Sequence, residues 1–178
     1  MQQYLDSIKL SIETNNYFGA IALALTLPDI CASIEAQNNK TNQHKYCRWF
    51  DKYLLNKYTI FSTDGNIVVF SAKECYATRC SFLHQGTHIT EHQDIISEEK
   101  NAVKSVNFMN DTIFKGYIRL GDEITLDVKI FCQNMIIAVE QWILENRDND
   151  FISKKISFLP LVYTDTEKLP FVTVPNFE

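Results

Sequence analysis

A chain of 178 residues with 46% hydrophobic and 12% aromatic content can bury a real core in one ordinary domain, which excludes a disulfide-stapled miniprotein and a disordered segment. Five glycines and four prolines favour helix over sheet. A formal net charge of −5 argues against broad non-specific nucleic-acid binding but leaves room for a local basic pocket.

The cysteines, Cys31, Cys47, Cys75, Cys80 and Cys132, are odd in number and lack a C-x-x-C pair. They read as small buried hydrophobes in a reducing compartment. Met1 to Ser11 is polar and amphipathic, unlike a signal peptide. The longest apolar run, Tyr17 to Leu27, is too short to span a bilayer. A cytoplasmic protein with no membrane partner is expected.

In chain order, Tyr4, Leu5, Ile8, Leu10 and Ile12 predict an amphipathic helix ending near Thr14-Asn15-Asn16. Tyr17 to Glu35 is apolar nearly all round, as a helix at the centre of a bundle would be. Pro28 should kink it and free the carbonyl of Ala24. Asp29, just past the kink, either orients an arginine elsewhere or caps a restarted helix.

After a polar loop, Gln37 to Gln43, a third helix places Tyr46, Trp49, Phe50, Tyr53 and Leu54 on one face. That aromatic stripe fits core packing better than a base-stacking platform. Asp64-Gly65 between two β-rich runs predicts a hairpin over Tyr58 to Phe70. Thr87 to Lys100 reads as loop. Val103 to Asn107 and Thr112 to Leu120 read as a second hairpin around Asn110-Asp111. Gly121-Asp122 turns the chain into a long core helix over about Leu126 to Asn146. Residues 1–150 thus form a mostly α bundle with small β-hairpin additions. Residues 151–178, with Pro160, Pro170 and Pro175, form an extended tail on the same domain.

The stretch with the most chemistry is Ser71 to Gly86, SAKECYATRCSFLHQG. Ser71 and Glu74 fit a capping box that starts a helix at Ala72, and Gly86 suits its left-handed end. Ala72, Cys75, Tyr76, Arg79, Phe82 and Leu83 fall on one stripe, so a permanently charged guanidinium sits in an apolar face and must find a partner. His84 lies five residues on, about 140° around an ideal helix. The two side chains converge only if the helix unwinds near Leu83 to Gly86 or a second chain completes the site.

Arg79-Cys80-Ser81-Phe82-Leu83-His84 matches the R-x4-H form of the R-x4-6-H motif of HEPN domains. Together with the blocks Leu27-Pro28-Asp29-Ile30-Cys31, Trp49-Phe50-Asp51-Lys52-Tyr53 and Arg79-Cys80-Ser81-Phe82-Leu83-His84-Gln85-Gly86, the chain resembles a group of bacterial HEPN-like proteins over about residues 5–147. Cys80 stands where the ribonuclease members usually carry Asn, Asp or His. The resemblance implies an all-α core, a homodimer and metal-independent RNA cleavage of a toxin or phage-defence kind. In that reaction the 2′-hydroxyl attacks the adjacent phosphate, leaving a 2′,3′-cyclic phosphate and a 5′-hydroxyl. His84 would act as general base or acid and Arg79 would hold the phosphate, with Asp29, Glu74, Tyr76 and Cys80 as the supporting site.

The alternative is a catalytically inactive HEPN-like module that binds a protein partner, such as an antitoxin, or a nucleotide. In that case Arg79 and His84 are structural, tying helix ends to nearby carbonyls. A metal site at His84, His88 and His92, with Glu91 and Asp94, needs a helix that Gly86 and the β-branched Thr87, Ile89 and Thr90 disfavour. Cys80 with His84 as a nucleophilic pair lacks any mark of an oxyanion site. No phosphate-loop, dinucleotide or hydrolase-elbow motif is present, and no cofactor is expected.

Overall fold

The computed structural model describes residues 1–99 and 101–162 as a mostly α-helical fold with two small sheets. Helix α1 spans Gln2–Glu13 and buries Leu5 and Ile8 against α2, Tyr17–Glu35. Asn16 starts α2 by accepting a hydrogen bond from Gly19 N at 3.2 Å. The helix then runs through Pro28 without a break, so Asp29 is an interior residue and not a cap.

By length and composition α2 could cross a membrane, with a mean hydropathy of 1.6, which corrects the expectation that no segment reaches that length. Here it packs against α1 and against α3 (Gln43–Tyr53), α4 (Ala72–Cys80), α5 (Val128–Glu145) and α6 (Asp150–Ile156). A helix apolar on every side is what such a central position requires. The stripe Tyr46, Trp49, Phe50 and Tyr53 is buried in the core. Trp142 is fully buried on α5, and its indole N–H donates to Glu35 Oε1 at 2.7 Å.

The first hairpin lies where Asp64-Gly65 places it: β1 (Thr59–Ile60) pairs antiparallel with β2 (Ile67–Val68). The second expected hairpin is not formed. β3 (Ser105–Met109) pairs in parallel with β5 (Glu123–Asp127), which lies between it and β4 (Tyr117–Leu120). The hairpin is β4–β5, closed at Gly121-Asp122, where Gly121 adopts φ +64°. A two-residue turn that opens on a positive-φ glycine matches strand twist. By contrast, Asp111 folds its side chain onto Ile113 N and Phe114 N, at 2.6 and 3.0 Å, and leads the chain away from β3.

The long helix expected from about Leu126 begins at Val128, and Glu123–Asp127 is a strand. Its strand character comes from Ile124 and Leu126, which point into the core, and Asp127 caps α5 through Ile130 N at 2.9 Å. The tail also differs from the expected extended run. Asn149 accepts from Phe151 N and Ile152 N and starts α6, which buries Ile152. Pro160 and Val162 lie beside Gln3, Tyr4 and Leu23. The remainder of the expected tail, 163–178 with Pro170 and Pro175, is outside the described residues.

The capping box of α4 is present, and Glu74 does more than cap. Oε2 accepts Ser71 N at 2.7 Å; Oε1 accepts Val103 N at 2.8 Å and meets Arg119 Nη1 at 3.2 Å. Arg119 also donates to Val69 O, at 2.8 Å, and to Asn101 O. One buried carboxylate therefore ties the end of the first hairpin, α4, the loop before β3 and strand β4. Removing one partner of such a pair strands the other charge. Glu74→Ala should lower stability by about 3 kcal/mol in urea unfolding, and Glu74→Gln, which keeps an acceptor, by less.

Glu145 joins α5 to α3 by accepting from Lys52 Nζ and Tyr53 Oη, both at 2.8 Å. Lys52, then Gln141 and Tyr53, hold its carboxyl down at about 2, below the ordinary 4.5. A depressed carboxylate contributes stability above its unfolded pKa and loses it as pH falls through the folded value. The site is over a third exposed, so the contribution is under about 1 kcal/mol. Glu145→Gln should flatten the pH dependence of the urea midpoint between roughly pH 4.5 and 2 while changing little at neutral pH.

Candidate active site

Helix α4 does not end at Gly86 as a regular α-helix. After Cys80 it widens into a π-helical turn, Ser81–Gln85, in which Gly86 N reaches back to Ser81 O. Gly86 then takes the left-handed conformation, φ +64°, and Thr87 N also bonds Ser81 O at 3.2 Å. A π turn spreads a residue's neighbours from i+4 to i+5. The two side chains that an ideal helix would hold about 140° apart are thereby brought onto one side.

Arg79 Nη1 and His84 Nε2 are 2.6 Å apart. A guanidinium has no acceptor, so it donates and His84 Nε2 accepts. The imidazole making this bond is neutral, with its proton on Nδ1. The unwinding that the sequence left as one of two possibilities is thus what a single chain does.

Behind the pair, Arg79 Nε lies 2.9 Å from Asp29 Oδ2, with the two side chains 21% and 12% exposed. The N–H does not point along that line, so the contact is held by charge more than by a directed hydrogen bond. Thr41 Oγ1 donates to Asp29 Oδ1 at 3.2 Å and fixes the carboxylate from the α2–α3 loop. Burial works against the Arg79 charge. The Asp29 carboxylate, with help from Cys80 and Tyr76, outweighs it and holds the guanidinium above its ordinary pKa. The arginine is therefore cationic with its Nε edge occupied and its Nη edge turned to His84.

Of the supporting residues, Asp29 joins Arg79 directly. Cys80 and Tyr76 are half-buried beside it, with the thiol in reach of both the phenol and the guanidinium. Burial first, then Cys80, raises the Tyr76 pKa. Tyr76 packs edge-on against Tyr46, whose hydroxyl donates to Leu25 O at 3.2 Å. Glu74 is not brought to this group: its oxygens serve Ser71, Val103 and Arg119.

Two residues escaped the sequence reading. Thr41 is one. The other is Gln93, whose amide donates to Ser81 Oγ at 2.9 Å and to Gln85 Oε1 at 3.1 Å, bracing both ends of the π turn. Neither has a local signature, because each reaches the site from a polar loop. His88 and His92 do not join His84. The backbone of His88 accepts from Val106 N and His92 pairs with Glu91. Among the described residues no three His, Cys, Asp or Glu side chains gather as metal ligands.

The opposite side of the turn borders an apolar cleft of about 380 Å³, walled by Phe18, Ile21, Phe82, Gly86, Val106 and Phe108 among others. Phe82 stacks on Phe18 and meets Phe108 edge-on. Arg79 and His84 are not in its wall.

Arg79→Ala strands the Asp29 carboxylate and should cost about 3 kcal/mol in chemical unfolding. His84 is exposed, so His84→Gln should stay within about 0.5 kcal/mol of the parent. Compared with models of protein families, with curated proteins and with solved structures, the chain finds no match in any of the three.

Proposed function

We propose that the chain is a HEPN-like, metal-independent endoribonuclease. The observation that carries this reading is the 2.6 Å contact between Arg79 Nη1 and His84 Nε2, with the arginine braced by Asp29. It supplies a neutral base and a cation side by side. A substrate phosphate is a stronger acceptor for the guanidinium than an imidazole is, because its hydrogen bonds are charge-assisted and bidentate. Once Arg79 swings its Nη edge to the phosphate, His84 Nε2 is released to take the proton of the RNA 2′-hydroxyl. The attack closes the 2′,3′-cyclic phosphate, Arg79 meets the charge growing on the phosphoryl oxygens, and the leaving 5′-oxygen takes a proton. A homodimer would bring a second Arg/His pair to the same phosphate, and the second imidazole, in its protonated form, would supply that acid. It would also concentrate positive charge within an acidic protein. A cytoplasmic toxin or phage-defence role accords with this chemistry.

A second reading, an inactive HEPN-like module that binds a protein or nucleotide, is favoured by one observation. Asp29 neutralises Arg79 and would make the pair a structural tie.

Purified protein incubated with mixed RNA in EDTA tests the two. On the ribonuclease reading cleavage persists in EDTA and leaves cyclic phosphate ends. His84→Gln, which keeps the fold, lowers it by about 100-fold or more. Cleavage by His84→Gln equal to the parent, or none by the parent, transfers the assignment to the binding module.

A further inference from the structure

The π turn that brings His84 to Arg79 is not required by its own residues. Ser81, Phe82, Leu83, His84 and Gln85 are all compatible with an ordinary α-helix, and Leu and Gln favour one. In α register Ser81 O would accept from Gln85 N. Here it accepts from Gly86 N and, at 3.2 Å, from Thr87 N. The wider turn is the rarer state, so something outside it holds it.

The segment after Gly86 supplies that hold. Gln93 is half-buried there, and its amide nitrogen spends one N–H on Ser81 Oγ, at 2.9 Å, and the other on Gln85 Oε1, at 3.1 Å. Ser81 is fully buried, and among the described residues Gln93 is the partner that its side-chain oxygen has. Losing it would leave a buried hydroxyl unpaired. A return to α register would swing Gln85 around the helix axis relative to Ser81, and one amide could not keep both.

Gln93 is held in turn from the far end of α4. Its backbone N–H donates to Thr90 O at 2.9 Å, and Thr90 is buried. Thr90 Oγ1 donates to Val103 O at 2.7 Å, while Val103 N donates to Glu74 Oε1 at 2.8 Å. On the other side of Gln93, Ile96 is buried and its N–H donates to Gln93 O at 3.0 Å. A line of hydrogen bonds thus runs from the Glu74–Arg119 junction through Thr90 and Gln93 to the turn that carries His84.

We propose that Gln93 is the positioning residue of the Arg79–His84 pair. Gripping Ser81 and Gln85, it keeps the end of α4 in π register; without it the segment returns to α register and His84 turns away from Arg79. The geometric role stands without any activity, and its bearing on catalysis rests on the ribonuclease reading.

The test is the Gln93→Met variant, which keeps much of the side chain's length and bulk and removes both hydrogen bonds. It is compared with the parent by nitrogen NMR of the His84 ring in the full chain, at a pH where the imidazole is neutral, with His84→Gln identifying the signal. In the parent the Arg79 contact keeps the ring proton on Nδ1. In Gln93→Met the Nε2 signal should move toward that of an imidazole free in water, while thermal unfolding stays cooperative. Ser81→Ala breaks the grip from the other side and should move the signal in the same direction by less. The double variant should move it no further than Gln93→Met alone. Should one variant fail to fold, the other still decides the matter. An unmoved His84 signal in a folded variant overturns the proposal. RNA cleavage by the same proteins separates it from the ribonuclease reading. With an active parent, Gln93→Met should cut about tenfold more slowly or worse, and undiminished cleavage beside a moved signal would overturn the catalytic bearing. A moved signal in a protein whose parent cuts no RNA supports the positioning role and counts against the ribonuclease reading alone.

Discussion

A carboxylate in the middle of the most apolar helix has to be matched, and much of this fold follows from how Asp29 is matched. Arg79 reaches it from α4, Thr41 from the loop before α3, and the three elements are thereby fixed around α2. An unmatched charge at that depth would be expensive, so the crossing of α4 over α2 is set by electrostatics as well as by apolar packing. With the Nε edge of Arg79 committed, its Nη edge has one direction left, and the π turn delivers His84 to it.

Glu74 and Arg119 repeat the arrangement at the other end of α4, where a buried acid also meets an arginine and backbone groups. The helix between them is short, nine residues, and carries few large apolar side chains of its own. It is held at both ends by polar junctions more than by an apolar face. Such a helix keeps its position only while both charge pairs are intact, which explains how a small, mostly α core can present a polar site without opening.

The sequence made the helices legible because their apolar spacing and caps are local. Ser71 with Glu74, Asn16 before Tyr17 and the stripe Tyr46 to Tyr53 each point to one structure within a few residues. The sheet was less legible. The parallel β3–β5 pairing joins residues 18 apart in the chain, beyond any local turn signal, and the alternation in Thr112 to Leu120 is equally compatible with a neighbour on either side. The run Glu123–Asp127 flows into a helical pattern, so its strand is seen only once Ile124 and Leu126 have a core to enter. At the candidate site Arg79, His84 and Asp29 stood out by residue type in an unusual setting. Thr41 and Gln93 did not, since a polar residue in a polar loop carries no sign of where its side chain will reach.

The π turn changes how the spacing between Arg79 and His84 is to be understood. A π turn is an α-helix carrying one inserted residue, so the fifth position along it occupies the place of the fourth in a regular helix. The length of the gap and the hydrogen-bond register of the backbone are therefore two descriptions of one quantity. Deleting a residue among Ser81, Phe82 and Leu83 would return the segment to α register with the arginine and the histidine still facing one another. The facing pair, and not the count of residues between its members, is what this backbone preserves.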